Sequence, residues 1–275
     1  GGNKALMLAM YLTKYAGMSC GIFERRHEIG GGLATEEIAA PGFRGNTHAN
    51  IMLPWYYAPL YRDFPEFWEY GGQIDQYLCS DGTIFMDTDK CLSIYSEKHD
   101  PDQTRTAAQI ARFSEKDADT WIKIYNLFRS HEMQRVMVDS IMAPHEWQAT
   151  DEYIERQAEV LPLLMDAGID PTPYLVASPL EAVKLLFESP EMQYTALRFF
   201  VSSVFNVRDV TKGANIMGMA GTLTQLSFAR GGTHMIAHAC HQWLLQNGCK
   251  FHINHEVTKV IHDGKAATGI ELGNG

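Results

Sequence analysis

The chain has 275 residues, 33 acidic against 23 basic side chains for a formal net charge of −10, and is 45% hydrophobic but only 20% charged. Such a composition can bury a sizeable core and excludes intrinsic disorder, and the length exceeds one average domain. The acidic balance argues against generic nucleic-acid binding, which uses a basic face. No apolar run reaches the roughly 18 residues of a bilayer span.

The opening Gly1-Gly2-Asn3 carries no Met, and Gly273-Asn274-Gly275 follows directly on a strand-like run, so a fragment cut at both ends is expected. Residues 3–16 predict a helix with Ala5, Leu6, Ala9 and Met10 on one face, stopped by Gly17. Met18 to Phe23 is a short, mostly apolar run ending in Glu24, the pattern of a parallel strand. Gly30-Gly31-Gly32 follows, then a Pro41-Gly42 turn.

From about residue 51 aromatics become dense: Trp55, Tyr56, Tyr57, Tyr61, Phe64, Phe67, Trp68 and Tyr70. Strands are expected at 76–80 and 83–87 around a hairpin turn at Asp81-Gly82, with a third from Cys91 to Tyr95. Residues 104–138 predict helices, with Ser114 as an N-cap, and further helices are expected at 152–167, 179–187 and 191–204. Arg230-Gly231-Gly232 then leads into a helix at 233–246, stopped by Asn247-Gly248. Strands at 251–254 and 256–261 follow, with an Asp263-Gly264 turn into 266–271. A nucleotide-type α/β layer thus opens and closes the chain, with a mixed segment inserted between.

The opening carries the chemistry. A dinucleotide fold needs a glycine turn, a helix N-terminus facing the pyrophosphate, and an acid at the end of the next strand. Gly1-Gly2-Asn3-Lys4-Ala5 fits GxGxxG/A when the first glycine lies just before residue 1. Gly2 would let the backbone approach the pyrophosphate, and Ala5 would permit close helix–strand packing. Glu24 follows Gly2 by 22 residues, the spacing of a ribose-binding acid. Its charge disfavours the 2′-phosphate of NADP and leaves NAD and FAD open.

Glu24-Arg25-Arg26-His27-Glu28-Ile29-Gly30-Gly31-Gly32-Leu33-Ala34-Thr35, and then Pro41-Gly42-Phe43-Arg44, resembles the extended signature of the phytoene desaturase and flavin amine oxidase superfamily, in its phytoene dehydrogenase-related branch. Asp81-Gly82-Thr83 with residues 110–118, and Gly231-Gly232-Thr233 with Glu256 to Ile261, are similar to later blocks of that branch. The resemblance implies an α/β fold in which a Rossmann-type FAD-binding domain, residues 1–50 and 226–275, is interrupted by a mixed α+β substrate domain at 51–225. It implies FAD as cofactor, held by Gly1, Gly2, Asn3, Glu24, Arg25, Gly31 and Gly32, with the Val257 backbone at the adenine. It further implies hydride transfer from a substrate C–H bond to flavin, and an apolar small-molecule substrate, with peripheral membrane contact compatible. The electron acceptor and catalytic residues are not legible. An amine oxidase-like flavoenzyme, a non-catalytic flavin-binding remnant and a nicotinamide-dependent dehydrogenase are the alternatives. Leu33 and Ala34 stand where the family carries an arginine, and the family's C-terminal Gly-Asp flavin motif is not present.

Other constellations read as structural. His234, His238 and His241 lie at helical spacing, but the apolar residues of the same helix leave them on its solvent side, so no metal is expected. Asp117 and Asp119, and Glu36 and Glu37, read as solvated charges. The 13 methionines read as core filling, and the aromatic cluster at 55–70 as packing at least as much as a cover for flavin or substrate. The five cysteines, Cys20, Cys79, Cys91, Cys240 and Cys249, are odd in number and lack a CxxC pair. That indicates reduced thiols in a cytoplasmic chain.

Overall fold

A computed structural model describes residues 1–202, 206–210 and 212–274, with the side chains of 54–56, 140–142 and 199–202 left out. The side chains of Trp55 and Tyr56 of the aromatic cluster are therefore not described, and the end of the helix expected at 191–204 lies outside the described residues.

The first helix forms where its apolar spacing places it. α1 spans Asn3–Ala16 and buries Leu6, Ala9 and Met10, and it ends at Gly17, whose φ of 63° is the left-handed conformation that stops a helix. Ala5, expected on the packed face, is exposed instead. β1 (Gly21–Glu24) follows, then β2 (Thr35–Ala40) and β3 (Phe43–Asn46), a hairpin turned at Pro41-Gly42. α2 (Pro54–Asp63), a 3₁₀ turn at Pro65–Phe67 and β4 (Ile74–Asp75) complete the first stretch.

The inserted stretch begins with β5 (Cys79–Phe85) and β6 (Lys90–Tyr95). Helices α3 (Thr104–Ala111), α4 (Glu115–Phe128), α5 (His131–Met142), α6 (His145–Gln148), α7 (Asp151–Ala158) and α8 (Leu161–Asp166) follow in order. Then come α9 (Thr172–Val176), α10 (Pro179–Leu186), α11 (Pro190–Ser202), a 3₁₀ helix at Gly213–Gly218 and α12 (Met219–Thr224). The chain returns through β7 (Phe228–Ala229), α13 (His234–Gln246), β8 (Lys250–Ile253), β9 (Val257–His262) and β10 (Ala267–Leu272).

Two compact units result: Gly1–Asp75 with Ser227–Gly275, and Gln76–Leu226. The boundary expected at residue 50 thus falls at 75. Its cause is the core of the first unit, where Met52, Tyr57, Leu60, Phe64 and Phe67 join Leu6 and Met10 of α1 and Ile236, Trp243 and Leu244 of α13. Phe64 sits edge-on to both Tyr11 and Trp243, each at 5.0 Å between centroids. The aromatic cluster is, in its described part, largely core. Full burial of each such side chain contributes about 1.5–3 kcal/mol.

Among the described residues, the first unit has one parallel strand pair. β1 runs parallel to β8, Gly21 opposite Lys250 through Glu24 opposite Ile253. β9 and β10 form a separate antiparallel hairpin. Asp263 closes it by accepting from the N–H groups of Lys265 (2.8 Å) and Ala266 (2.9 Å).

In the second unit β5 and β6 pair antiparallel, but their turn is not at Asp81-Gly82. Those residues lie inside β5, opposite Ile94 and Ser93, and the chain turns over 86–89 with Asp89 at φ 53°. Ser114 caps α4 as its sequence position predicts, accepting from the Asp117 N–H at 3.1 Å. The expected 152–167 helix is broken into α7 and α8, with Pro162 in the first turn of α8. Asp117 is fully buried, contrary to the solvated reading. Its carboxylate accepts from the N–H groups of Glu188 (2.8 Å) and Ser189 (2.9 Å) and from the Ser189 hydroxyl, and so caps the start of α11.

Candidate dinucleotide site

The site grows out of a helix start without a side chain. Gly2 is the N-cap of α1, in extended backbone at φ −72° and ψ 167°, and has no oxygen with which to cap. The first N–H groups of an α-helix have no intrahelical partner and carry the positive end of its dipole, a ready setting for an anion. Asn3 is the first residue of that turn.

The glycine run closes on this helix start. The Gly30 N–H donates to the Gly1 carbonyl at 2.9 Å, and Gly2 and Gly30 form a parallel bridge. Gly30 has φ 113°, and a β-carbon there would meet both Ala237 Cβ and the Leu33 carbonyl at 2.9 Å. Gly31, at φ 60°, faces Gly2 across a gap that a β-carbon would close to 3.1 Å. Gly32 is less constrained: its nearest neighbour would be His48 Cβ at 4.0 Å. Leu33 and Ala34 are buried.

Glu24 ends β1 beside this cradle. Its Oε1 accepts from the Arg26 N–H at 2.8 Å, and its Oε2 lies 3.3 Å from the Gly1 nitrogen. A β-carbon on Gly1 would come within 2.8 Å of Glu24 Cβ. Glycine at positions 1, 2 and 31 therefore leaves room for the carboxylate and for a close approach to the backbone. Arg25 is exposed. It is Arg26 that orders this corner, through its N–H and a guanidinium–Glu36 ion pair of 2.8 Å.

Val257 opens β9 and is 39% exposed, opposite Leu272. It is led there by two residues that sequence reasoning missed. Asn254, at φ 57°, donates its N–H to the Arg26 carbonyl (3.0 Å), and His255 donates to the Glu24 carbonyl (2.9 Å). The structure thus brings together Gly1, Gly2, Asn3, Glu24 and Gly31, places Val257 two residues beyond the strap over Glu24, and leaves Arg25 outside. Gly30 is the further residue that sequence reasoning missed. Three consecutive glycines hide which of them meets the helix.

The start of α13 closes the opposite side of the glycine run. Asn46 Oδ1 accepts from the Thr35 hydroxyl (2.8 Å) and the Thr233 N–H (3.0 Å), and Thr35 Oγ1 accepts from the His234 N–H (3.1 Å). His234 Nε2 lies 3.1 Å from Glu28 Oε1. His238 and His241 are half-buried rather than solvent-facing, and His241 packs on Phe251 at 4.2 Å. Burial holds the His241 imidazole below its ordinary pKa, with His238 and His234 adding to the shift. Among the described residues no group of three or more His, Cys, Asp or Glu side chains is placed to hold a metal. No helix among them is long and apolar enough to cross a membrane.

The chain is similar to proteins named as a dehydrogenase subunit and as an oxidoreductase. No family model matches the chain. One of the limonene dehydrogenase subunits of Castellaniella defragrans is 25% identical over 283 residues, covering 98% of this chain and 46% of that protein. The chain thus spans about half the length of this relative. An oxidoreductase from Methanosarcina mazei shares its mixed helix-and-strand fold at a TM-score of 0.58, with 17% identity, over 99% of this chain and 54% of that one. A putrescine oxidase variant redesigned in its cofactor binding aligns at a TM-score of 0.49 and 12% identity, over 98% of this chain and 52% of that one.

Proposed function

We propose that this chain is the dinucleotide-holding part of an FAD-dependent oxidoreductase acting on a C–H bond of an apolar small molecule. The observation that carries the reading is the open N-terminus of α1, packed against Gly30 and Gly31 with the Glu24 carboxylate at the end of β1. The first-turn N–H groups of α1 would bind the pyrophosphate, and the absent β-carbons at Gly2 and Gly31 would let it approach the backbone. Glu24, fixed through the Arg26 N–H, would accept hydrogen bonds from the ribose hydroxyls and repel a 2′-phosphate. The Asn254–His255 strap would set the start of β9, with Val257, at the adenine. When bound, the flavin would supply the hydride acceptor.

The apolar substrate rests on the similarity to a limonene dehydrogenase and on the resemblance to the phytoene dehydrogenase-related branch. The test is to purify the protein, saturate it with an equimolar mixture of FAD and NAD, desalt it, and identify what stays bound by absorption and mass spectrometry. Retained FAD with flavin absorption bands is the expected result. Retained NAD without flavin would contradict the reading.

A further inference from the structure

Two thiols face each other where β1 and β8 begin. The register pairs Gly21 with Lys250, and the Lys250 N–H donates to the Cys20 carbonyl at 3.0 Å, so Cys20 and Cys249 stand side by side one step before the ladder. They share parity with Ile22 and Phe251, which are opposite one another, and side chains alternate along a strand, so both thiols leave the same face. That face meets α1. The Thr13 hydroxyl donates to Cys20 Sγ at 3.7 Å and lies 3.3 Å from Cys249 Sγ. Neighbouring strands run about 4.8 Å apart, inside the roughly 4.4–6.8 Å Cα separation of disulfides.

Among the described residues the other cysteines lack such a partner arrangement. Cys79 and Cys91 lie on β5 and β6 but oppose Tyr95 and Ile84, well apart along the ladder. Cys240 is buried in the core, where desolvation pushes its thiol up to about 12.

We infer that Cys20 and Cys249 are a redox-active pair that closes, in the presence of a peroxide, to an intramolecular disulfide stapling β1 to β8. Cys20 is half-buried and Cys249 only 4% exposed, so Cys20 meets the oxidant first. Its thiolate sulfur attacks one oxygen of hydrogen peroxide; the O–O bond breaks, leaving a sulfenic acid and a hydroxide that takes the thiol proton to become water. The Cys249 sulfur then attacks the Cys20 sulfur, the S–O bond breaks, and the departing hydroxide leaves as a second water with the Cys249 proton. The two thiols lose two electrons and two protons together, and the peroxide is reduced to two waters.

The experiment treats the purified protein with hydrogen peroxide, quenches and alkylates it under denaturing conditions, and reads free thiols and non-reduced peptides by mass spectrometry. The expected result is loss of two of the five thiols per chain, a linked peptide containing Cys20 and Cys249 within one chain, and full recovery with dithiothreitol. Cys20→Ser and Cys249→Ser proteins should form no such link. The peptide map of the unmodified sequence decides the matter even where a variant folds poorly. Retention of all five thiols, a link between any other pair or between chains, or Cys20 oxidised to sulfinic acid without a link would overturn the inference.

Discussion

Gly31 lies so close to Gly2 that a β-carbon on it would stand 3.1 Å from the Gly2 Cα, and its φ of +60° already belongs to glycine. Both facts oppose a side chain at the mouth of the cradle. Gly31→Ala should cost about 1–2 kcal/mol from the left-handed backbone alone. It should lower both the urea midpoint and FAD affinity. Gly32→Ala, with 4.0 Å to its nearest neighbour and no positive φ, should leave both nearly unchanged. Equal effects of the two substitutions would show that the close approach is not at Gly31.

Asp117 anchors the second unit from inside. Asp117→Ala leaves the Glu188 and Ser189 N–H groups without the acceptor they now share. An unsatisfied buried donor costs about 1–3 kcal/mol, so a clear fall in the urea midpoint is expected. Asp119→Ala, at an exposed position of the same helix, should stay within about 0.5 kcal/mol of the parent. A loss at Asp119 as large as at Asp117 would contradict this assignment.

The contrast between these two aspartates shows where sequence reading ends. A carboxylate in the first turn of a helix reads as solvated, and the groups that bury Asp117 arrive 71 and 72 residues later. Features written in local spacing were legible: α1 with its Gly17 stop, the Ser114 cap, and the α13–β8–β9 return. The Asp81-Gly82 turn misled because the strong turn signal lies within β5, while Asp87-Thr88-Asp89 makes the actual reversal. The β2–β3 hairpin was missed because its mostly exposed residues show no buried alternation. The start of α1 at Asn3 and the end of β1 at Glu24 were readable from motif spacing. The role of Gly30 and the Asn254–His255 strap depend on long-range backbone contacts, which leave no local pattern.

His241 gives the first unit a pH dependence of definite sign. Burial against Phe251 lowers its folded pKa below the unfolded value of roughly 6.5. The unfolded chain then binds more protons between the two values, so stability rises with pH there. The His241 contribution should be complete above about pH 6.5 and be lost as pH falls through the lowered folded value. His241→Gln should flatten the dependence of the urea midpoint across that window. An unchanged slope would assign the titration to another group.

Glu24 and the α1 start are proposed to hold the ribose and pyrophosphate of FAD, and FAD affinity measures this most directly. FAD should be titrated into apoprotein of the parent sequence, Glu24→Ala and Glu37→Ala, followed by calorimetry. Glu24 lies at the end of β1 beside the Gly1–Gly2 backbone, whereas Glu37 accepts from the Gly42 N–H in the β2–β3 turn. Loss of hydrogen bonds to a charged acceptor, about 1.5–3 kcal/mol, corresponds to roughly 10- to 100-fold weaker binding. That loss is expected for Glu24→Ala, and parent-like affinity for Glu37→Ala. FAD bound as tightly by Glu24→Ala as by the parent would contradict the proposal.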